Sequence, residues 1–169
     1  MDFRIISIFS FSKHVTMKKI ALFSLLFIGT AAFAQKVNSE NVPEVVKTSF
    51  KAKFASAQKV KWEMDYENFE AEFKMNKNEY EAKFDKEGKW IETESAIKPS
   101  DISQAAKDYL NSNFSGFEVT EAEKVETADK GIIYELDIKK AEAKYEISIS
   151  EAGALISRTD KNSDEKPKY

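Results

Sequence analysis

The stretch FEAEFKMNKNEYEAKFDKEGKWI, residues 69–91, decides the fold. Sixty-five positions later, residues 134–156 read YELDIKKAEAKYEISISEAGALI. Phe69 aligns with Tyr134, Tyr80 with Tyr145, Glu81 with Glu146, Gly88 with Gly153 and Ile91 with Ile156. Aromatic, Glu, Gly and Ile recurring at identical internal spacing mark two copies of one structural unit.

Inside each copy the apolar period is two, the signature of half-buried strands. Phe69, Ala71, Phe73 and Met75 alternate with Glu70, Glu72 and Lys74, and Tyr80, Ala82 and Phe84 alternate with Glu81, Lys83 and Asp85. Upstream, Val60, Trp62, Met64 and Tyr66 alternate with Lys61, Glu63 and Asp65, and a fourth strand is expected from Lys89 to about Glu94. The second copy places its strands near 117–125, 132–139, 144–150 and 154–159. A two-residue turn at Lys77 and Asn78 sets Lys74 against Glu81 and Glu72 against Lys83 outside, with Phe73 against Ala82 inside. The same register sets Lys139 against Glu146 and Leu136 against Ile149. The following turn, Lys86-Glu87-Gly88, reads as a three-residue loop with Gly in the left-handed position. It puts Phe84 opposite Trp90, and Ile149 opposite Leu155.

Before each set of strands the period becomes helical. Val42, Val46, Phe50 and Phe54 form one stripe, and Ile102, Ala106, Leu110 and Phe114 repeat it at an offset of 60. Gln35 to Glu40, ahead of the first helix, reads as a short polar leader expected to be flexible. Asn41 with Glu44, and Asp101 (or Ser100) with Gln104, are the expected caps, and Pro43 fits a first turn. The offset grows from 60 to 65 through five extra residues, placed in a longer hairpin at 121–131.

The front of the chain reads as an export signal. Met17-Lys18-Lys19 precedes an apolar run from Ile20 to Phe33 that ends in Ala32-Phe33-Ala34, so cleavage is expected after Ala34. Met1 to Thr16 lie upstream of that complete signal, and Met17 is the expected true start. The run is too short for a permanent anchor of roughly 20 apolar residues, and no Cys follows it for lipid attachment. Cleavage leaves 135 of 169 residues, enough to bury one core. Four of the 26 Lys and Arg and one of the 29 Asp and Glu fall in the leader. The remainder therefore carries 22 basic against 28 acidic residues, which argues against nucleic acid and against a basic membrane patch. With no Cys in the chain, stability rests on packing rather than disulfides.

Chemistry is excluded more readily than assigned. The only His, His14, lies in the leader and Cys is absent. Cysteine nucleophiles, Ser-His-Asp triads and His- or Cys-ligated metals are thereby removed, and no phosphate-cradling glycine loop is present. Glu70, Glu72, Glu81, Asp85, Glu135, Asp137 and Glu146 fall on the outer strand face, where a solvated, charge-paired surface is expected rather than a two-carboxylate hydrolase. Asp85 to Gly88 reads as a turn, not a calcium loop. Trp62, Trp90, Phe73 and Phe84 read as core, with Tyr66 and Tyr80 at its rim. Ile91 and Ile156 follow the inward residue of their strands and point to the charged face, as edge-strand residues or as an apolar contact for a partner.

Trp62 with a following FEAEF, then YEAKFDKEGKW, resembles the PepSY-like, beta-lactamase-inhibitor-like domain of exported bacterial proteins. The resemblance covers about Asn41 to Thr159. Its motifs, Phe/Tyr-Glu-x-Glu/Asp-apolar and Tyr-Glu-x-x-apolar-x-x-x-Gly-x-apolar, each occur twice. The second copy departs from it: Leu155 stands for Trp90, and no Trp matches Trp62. The resemblance implies a duplicated helix-plus-antiparallel-sheet unit, periplasmic or secreted, with an open sheet face for partners. It also implies restraint of peptidases or other secreted enzymes as a role proposed for related domains, and it brings no catalytic residue.

The expected protein is therefore α+β, two tandem α-β-β-β-β units with an antiparallel sheet and helices packed on one face. Residues 1–34 are the signal peptide, 35–160 the PepSY-like domain in repeats 41–97 and 98–160, and 161–169 a disordered tail. No enzymatic activity, cofactor, metal, nucleic acid or stable membrane insertion is expected. The expected partner is another exported protein or peptide, met by a sheet face carrying Glu70, Glu72, Lys74, Glu81, Lys83, Ile91, Glu135, Asp137 and Ile156. The alternative is a small-ligand or peptide-sensing domain.

Overall fold

The computed structural model describes residues 35–162. The expected signal peptide, its expected cleavage point and residues 163–169 lie outside the described residues. Nine strands form one open antiparallel sheet in chain order. They are β1 (Gln35–Val37), β2 (Gln58–Asp65), β3 (Asn68–Met75), β4 (Asn78–Phe84), β5 (Trp90–Ala96), β6 (Glu118–Thr127), β7 (Gly131–Lys140), β8 (Ala143–Ser150) and β9 (Leu155–Asp160). Helix α1 (Glu44–Lys53) precedes β2 and helix α2 (Gln104–Asn113) precedes β6, each behind a short 3-10 turn.

Both helices cover the same sheet face. Ala82 stands opposite Thr93, Thr93 opposite Glu126 and Glu126 opposite Ile132, so apolar residues of β3 and β4 share a face with those of β7. Two cores lie under the helices. Val42, Val46, Phe50 and Phe54 bury against Trp62, Phe69, Phe73 and Phe84. Ile102, Ala106 and Phe114 bury against Tyr134, Leu136, Ile138, Ile147 and Ile149. Pairing of β5 with β6, from Glu92–Thr127 to Ala96–Glu123, joins the halves into one sheet. Trp62, Phe73 and Phe84 are core as expected. Trp90 is half-buried, with its Nε1 donating to Thr93 Oγ1 at 2.9 Å and Lys53 Nζ 3.6 Å from its ring centre. Tyr80 stacks on Phe73, whereas Tyr66 and Val60 are exposed.

Four expectations need correction. The helices begin at Glu44 and Gln104, because Val42 and Ile102 stay extended to plug the core. A residue before proline is pushed out of the helical region, and Pro43 itself takes the cap position with no side-chain bond. In α2 the cap is Ser103, whose Oγ accepts from Ala106 N at 3.1 Å and donates to Glu151 O at 2.7 Å. Gln35–Glu40 is not a loose leader: β1 pairs Val37 with Trp62 and covers the edge of β2. The β3–β4 register is displaced by two residues. Asn76 and Lys77, both left-handed, form the turn, and Glu72 faces Glu81 while Glu70 faces Lys83. The β7–β8 hairpin shifts likewise, with Leu136 opposite Ile147. A two-residue slip leaves every side chain on its face, so turn geometry decides it. Fourth, the outer face is not wholly solvated: Glu70, Lys83 and Ser148 are buried in it.

The second hairpins are as read. Phe84 faces Trp90 and Ile149 faces Leu155, each beside a register shift that makes Ile91 and Ile156 the extra residues of β-bulges. Gly88 and Gly153 close these hairpins at φ +81° and +83°. A Cβ there would lie 2.9 Å from Val45 O and 2.6 Å from Ala105 O respectively. Only glycine lets these turns rest on the helices.

Candidate binding face

The face opposite the helices is built by the alternate residues of the same strands. Across it runs Lys61, Glu72, Glu81, Glu94, Val125, Ile133, and beside it Glu63, Glu70, Lys83, Glu92, Thr127. Further along lie Glu123, Glu135 and Ser148, then Glu121, Asp137 and Glu146. Carboxylates outnumber ammonium groups throughout the middle of this face.

It is not the solvated surface that charged alternation suggests. Glu70 is 7 % exposed, Lys83 6 % and Ser148 3 %, and Val125 and Ile133 are buried between them. In the middle of a nine-stranded sheet each side chain is hemmed in by long neighbours on both adjoining strands, and burial follows from the sheet's width. Lys83 is the hub. Its Nζ lies 2.9 Å from Asp65 Oδ2, 2.9 Å from Glu92 Oε1 and 4.0 Å from Glu70 Oε2. Burial works against its charge, but Glu92 and Asp65 outweigh that and hold Lys83 above the ordinary lysine range.

The neighbouring carboxyls are less well served. Glu70 Oε2 and Glu81 Oε2 are buried with no hydrogen-bond partner. The two groups abut each other on adjacent strands, so neither has a donor unless one keeps its proton. Burial, then the Glu70 charge, pushes Glu81 up to about 8. Burial, then Glu92 and Glu135, pushes Glu94 to about 8, and burial, then Glu146, pushes Glu135 to about 7. Burial also raises Glu70, Glu123 and Glu146. At the rim Lys61 binds Glu72 at 3.0 Å and 3.1 Å, and Lys74 binds Glu79 at 2.5 Å. Lys161, expected in a loose tail, binds Asp137 at 2.6 Å and Glu146 at 3.4 Å.

Of the residues expected on this face, Glu70, Glu72, Glu81, Lys83, Glu135 and Asp137 lie there together, and Lys74 is at its margin. Ile91 is half-buried in its bulge and Ile156 is 40 % exposed at the β9 edge, apart from the acidic centre. Sequence reading missed Asp65, Glu92, Glu94 and Glu123 as members. Glu92, Glu94 and Glu123 join it through the β5–β6 pairing that carries the face across both halves, and Asp65 through its alternation with the apolar residues of β2. Among the described residues no group of three His, Cys, Asp or Glu side chains is arranged to hold a metal ion, and no helix is long and apolar enough to cross a membrane.

A second feature lies on the other face. A cleft of about 360 Å³ opens between α2 and the start of β6, lined by Ile102, Leu110, Phe114, Phe117 and Ile138 with Gln104 and Lys107 among the polar groups.

A family model described as beta-lactamase-inhibitor-like, PepSY-like matches residues 30–79 and 67–157. No curated protein matches the sequence. Among solved structures, a DUF2874 family protein from Bacteroides uniformis is 21 % identical, with 70 % of this chain and 88 % of that one covered at a TM-score of 0.64. A BLIP-like protein from Bacteroides fragilis is 18 % identical, with coverage of 75 % and 92 % and the same TM-score of 0.64. A protein from Bacteroides eggerthii, provisionally assigned to the periplasm, is 19 % identical, covering 70 % and 88 %, again at 0.64. At these identities the likeness is one of fold.

Proposed function

Because the chain belongs to the beta-lactamase-inhibitor-like, PepSY-like family, we propose that it is a non-enzymatic binding module of the cell envelope, periplasmic or secreted, whose helix-free sheet face holds another exported protein or peptide. The observation that carries this reading is the face itself. Buried carboxyls without donors are costly, and a surface that keeps them is built to be completed from outside. The reading treats the fold as two tandem α-β-β-β-β units, supported by the matching element order and by helices that begin 60 residues apart. Restraint of a secreted enzyme, the role suggested for related domains, is one use of such a face.

Photo-crosslinking residues placed in growing cells test it. Positions 61 and 121, exposed on the acidic face, should yield one discrete adduct, whereas positions 51 and 108, exposed on the helices, should not. Adducts from the helices alone would overturn the assignment of the face. Hydrolytic activity lost with one carboxylate would overturn the non-enzymatic reading.

The cleft beside α2 favours a second reading, a small apolar ligand held under the helix. Native mass spectrometry of the protein as purified would reveal such a ligand as a fixed added mass, lost when Leu110→Trp fills the cleft.

A further inference from the structure

Resting on the reading of this face as a partner surface, we propose that its docking point is the corner formed by Glu70, Glu81 and Glu94, where a lysine or arginine side chain of the partner protein supplies the donors that Glu70 Oε2 and Glu81 Oε2 lack.

The second half of the molecule shows what a cation does at the matching place. Sixty-five residues on, Glu72 and Glu81 correspond to Asp137 and Glu146, and both are held by Lys161. The residue matching Lys161 in the first half is Ala96, exposed and without a charge. Glu72 has found Lys61 instead, and Glu81 has found no cation. Lys83 cannot serve either, since it is committed to Asp65 and Glu92 and stands 4.0 Å from Glu70.

Every element around the corner adds negative charge except through Lys83 and Lys61. Glu63 and Asp65 on β2 face Glu70. Glu72 on β3 and Glu123 on β6 face Glu81, and Glu92 on β5 with Glu135 on β7 face Glu94. A carboxyl pair in such surroundings keeps one proton to avoid two adjoining charges. Loss of that proton makes the pair repel and part, and an ammonium or guanidinium entering between them is then favoured on charge and on hydrogen bonding. Binding and proton release are linked, so affinity rises as pH passes through about 8, the region in which Glu81 and Glu94 lose their protons, while a lysine ammonium stays charged until about pH 10.

Calorimetry with hexalysine, and with hexaglutamate as the control, tests this on the whole protein in two buffers of different ionisation heat. Hexalysine should bind with proton uptake by the buffer, more tightly at pH 8 than at pH 6. Glu81→Gln should weaken it roughly ten-fold and markedly reduce the buffer dependence. Ala96→Lys, at an exposed site, should weaken it by a similar factor through occupying the corner from within. Glu87→Gln, in the exposed β4–β5 turn, should leave it unchanged. Equal loss from Glu87→Gln and Glu81→Gln would mean diffuse charge attraction and would overturn the proposal. So would binding without proton release, or an Ala96→Lys variant that binds like the parent. If position 61 still crosslinks a partner while hexalysine fails, the partner face stands and the cationic corner falls.

Discussion

The two halves of the sheet solve one packing problem with opposite distributions of volume. In the first, the cross-strand row beneath α1 is Trp62, Ala71, Ala82. In the second, the row beneath α2 is Ala122, Leu136, Ile147. One large residue and two small ones face one small residue and two large ones, and all six are buried. Interiors are filled to near-crystalline density, and these rows show that density is conserved across a row rather than at a position. The helices follow suit. Phe50, ringed edge-on by Trp62 at 5.3 Å and Phe73 at 5.1 Å, has as its counterpart Leu110, which is only partly buried and lines the cleft.

The opposite face differs by charge instead of volume. The Lys83–Glu92 ion pair at 2.9 Å has as its counterpart a hydrogen bond between Ser148 and Ser157, also 2.9 Å. Lys83→Met should therefore cost far more than Ser148→Ala. Removing one partner of a buried pair costs about 3–5 kcal/mol because the other charge is left uncompensated, and here Asp65, Glu92 and Glu70 all lose their cation. Loss of the serine bond should cost about 1 kcal/mol. Urea midpoints read the difference. The Lys83→Met loss should shrink as pH falls, because Glu70, already raised by burial, takes up a proton in place of its lost cation. Equal costs for the two variants would mean that the first-half cluster has no special weight.

A smaller effect tests the rows. Ala122→Trp gives the second half the first half's large residue without its small neighbours, and overpacking of this kind costs about 1–3 kcal/mol. Adding Leu136→Ala and Ile147→Ala, each costly alone, should recover stability beyond the sum of the single effects, because residues in contact couple. Strict additivity in the triple variant would break the view that volume is balanced along a row.

Strand alternation and helical stripes were legible because burial on the helix face depends on apolar residues that announce themselves at period two or at three to four. Gly88 and Gly153 were legible for a similar reason, since a left-handed turn and a close approach both require glycine. The β3–β4 register was not, because Glu72 can face Lys83 or Glu81 with every side chain on its proper face, and left-handed Asn76 and Lys77 settle it locally. Glu70, Glu81 and Lys83 were readable as members of one face, but not as buried. Their burial arises from strands β2 and β5 lying on either side, a consequence of sheet width that no single strand records. Glu94 escaped notice because its importance depends on standing opposite Glu81 across the bulged β4–β5 pair.

The last of the expected effects concerns how stability depends on pH, and it again separates the halves. Glu81 and Glu94 rise from 4.5 to about 8 on folding, so between those values the folded chain binds more protons than the unfolded one. Stability should then fall as pH rises through that window and level off above it. This is the reverse of a carboxylate held low by an ion pair. Melting temperature should drop from pH 5 to pH 8.5. Glu81→Gln and Glu94→Gln together should flatten most of that slope, since a neutral amide keeps the shape and cannot ionise. Glu146→Gln should flatten it less, because Lys161 already offsets the burial of Glu146. If Glu146→Gln flattened the slope as much as the first-half pair, the proton would not be concentrated where donors are missing, and the electrostatic contrast between the halves would fail even with the packing contrast intact.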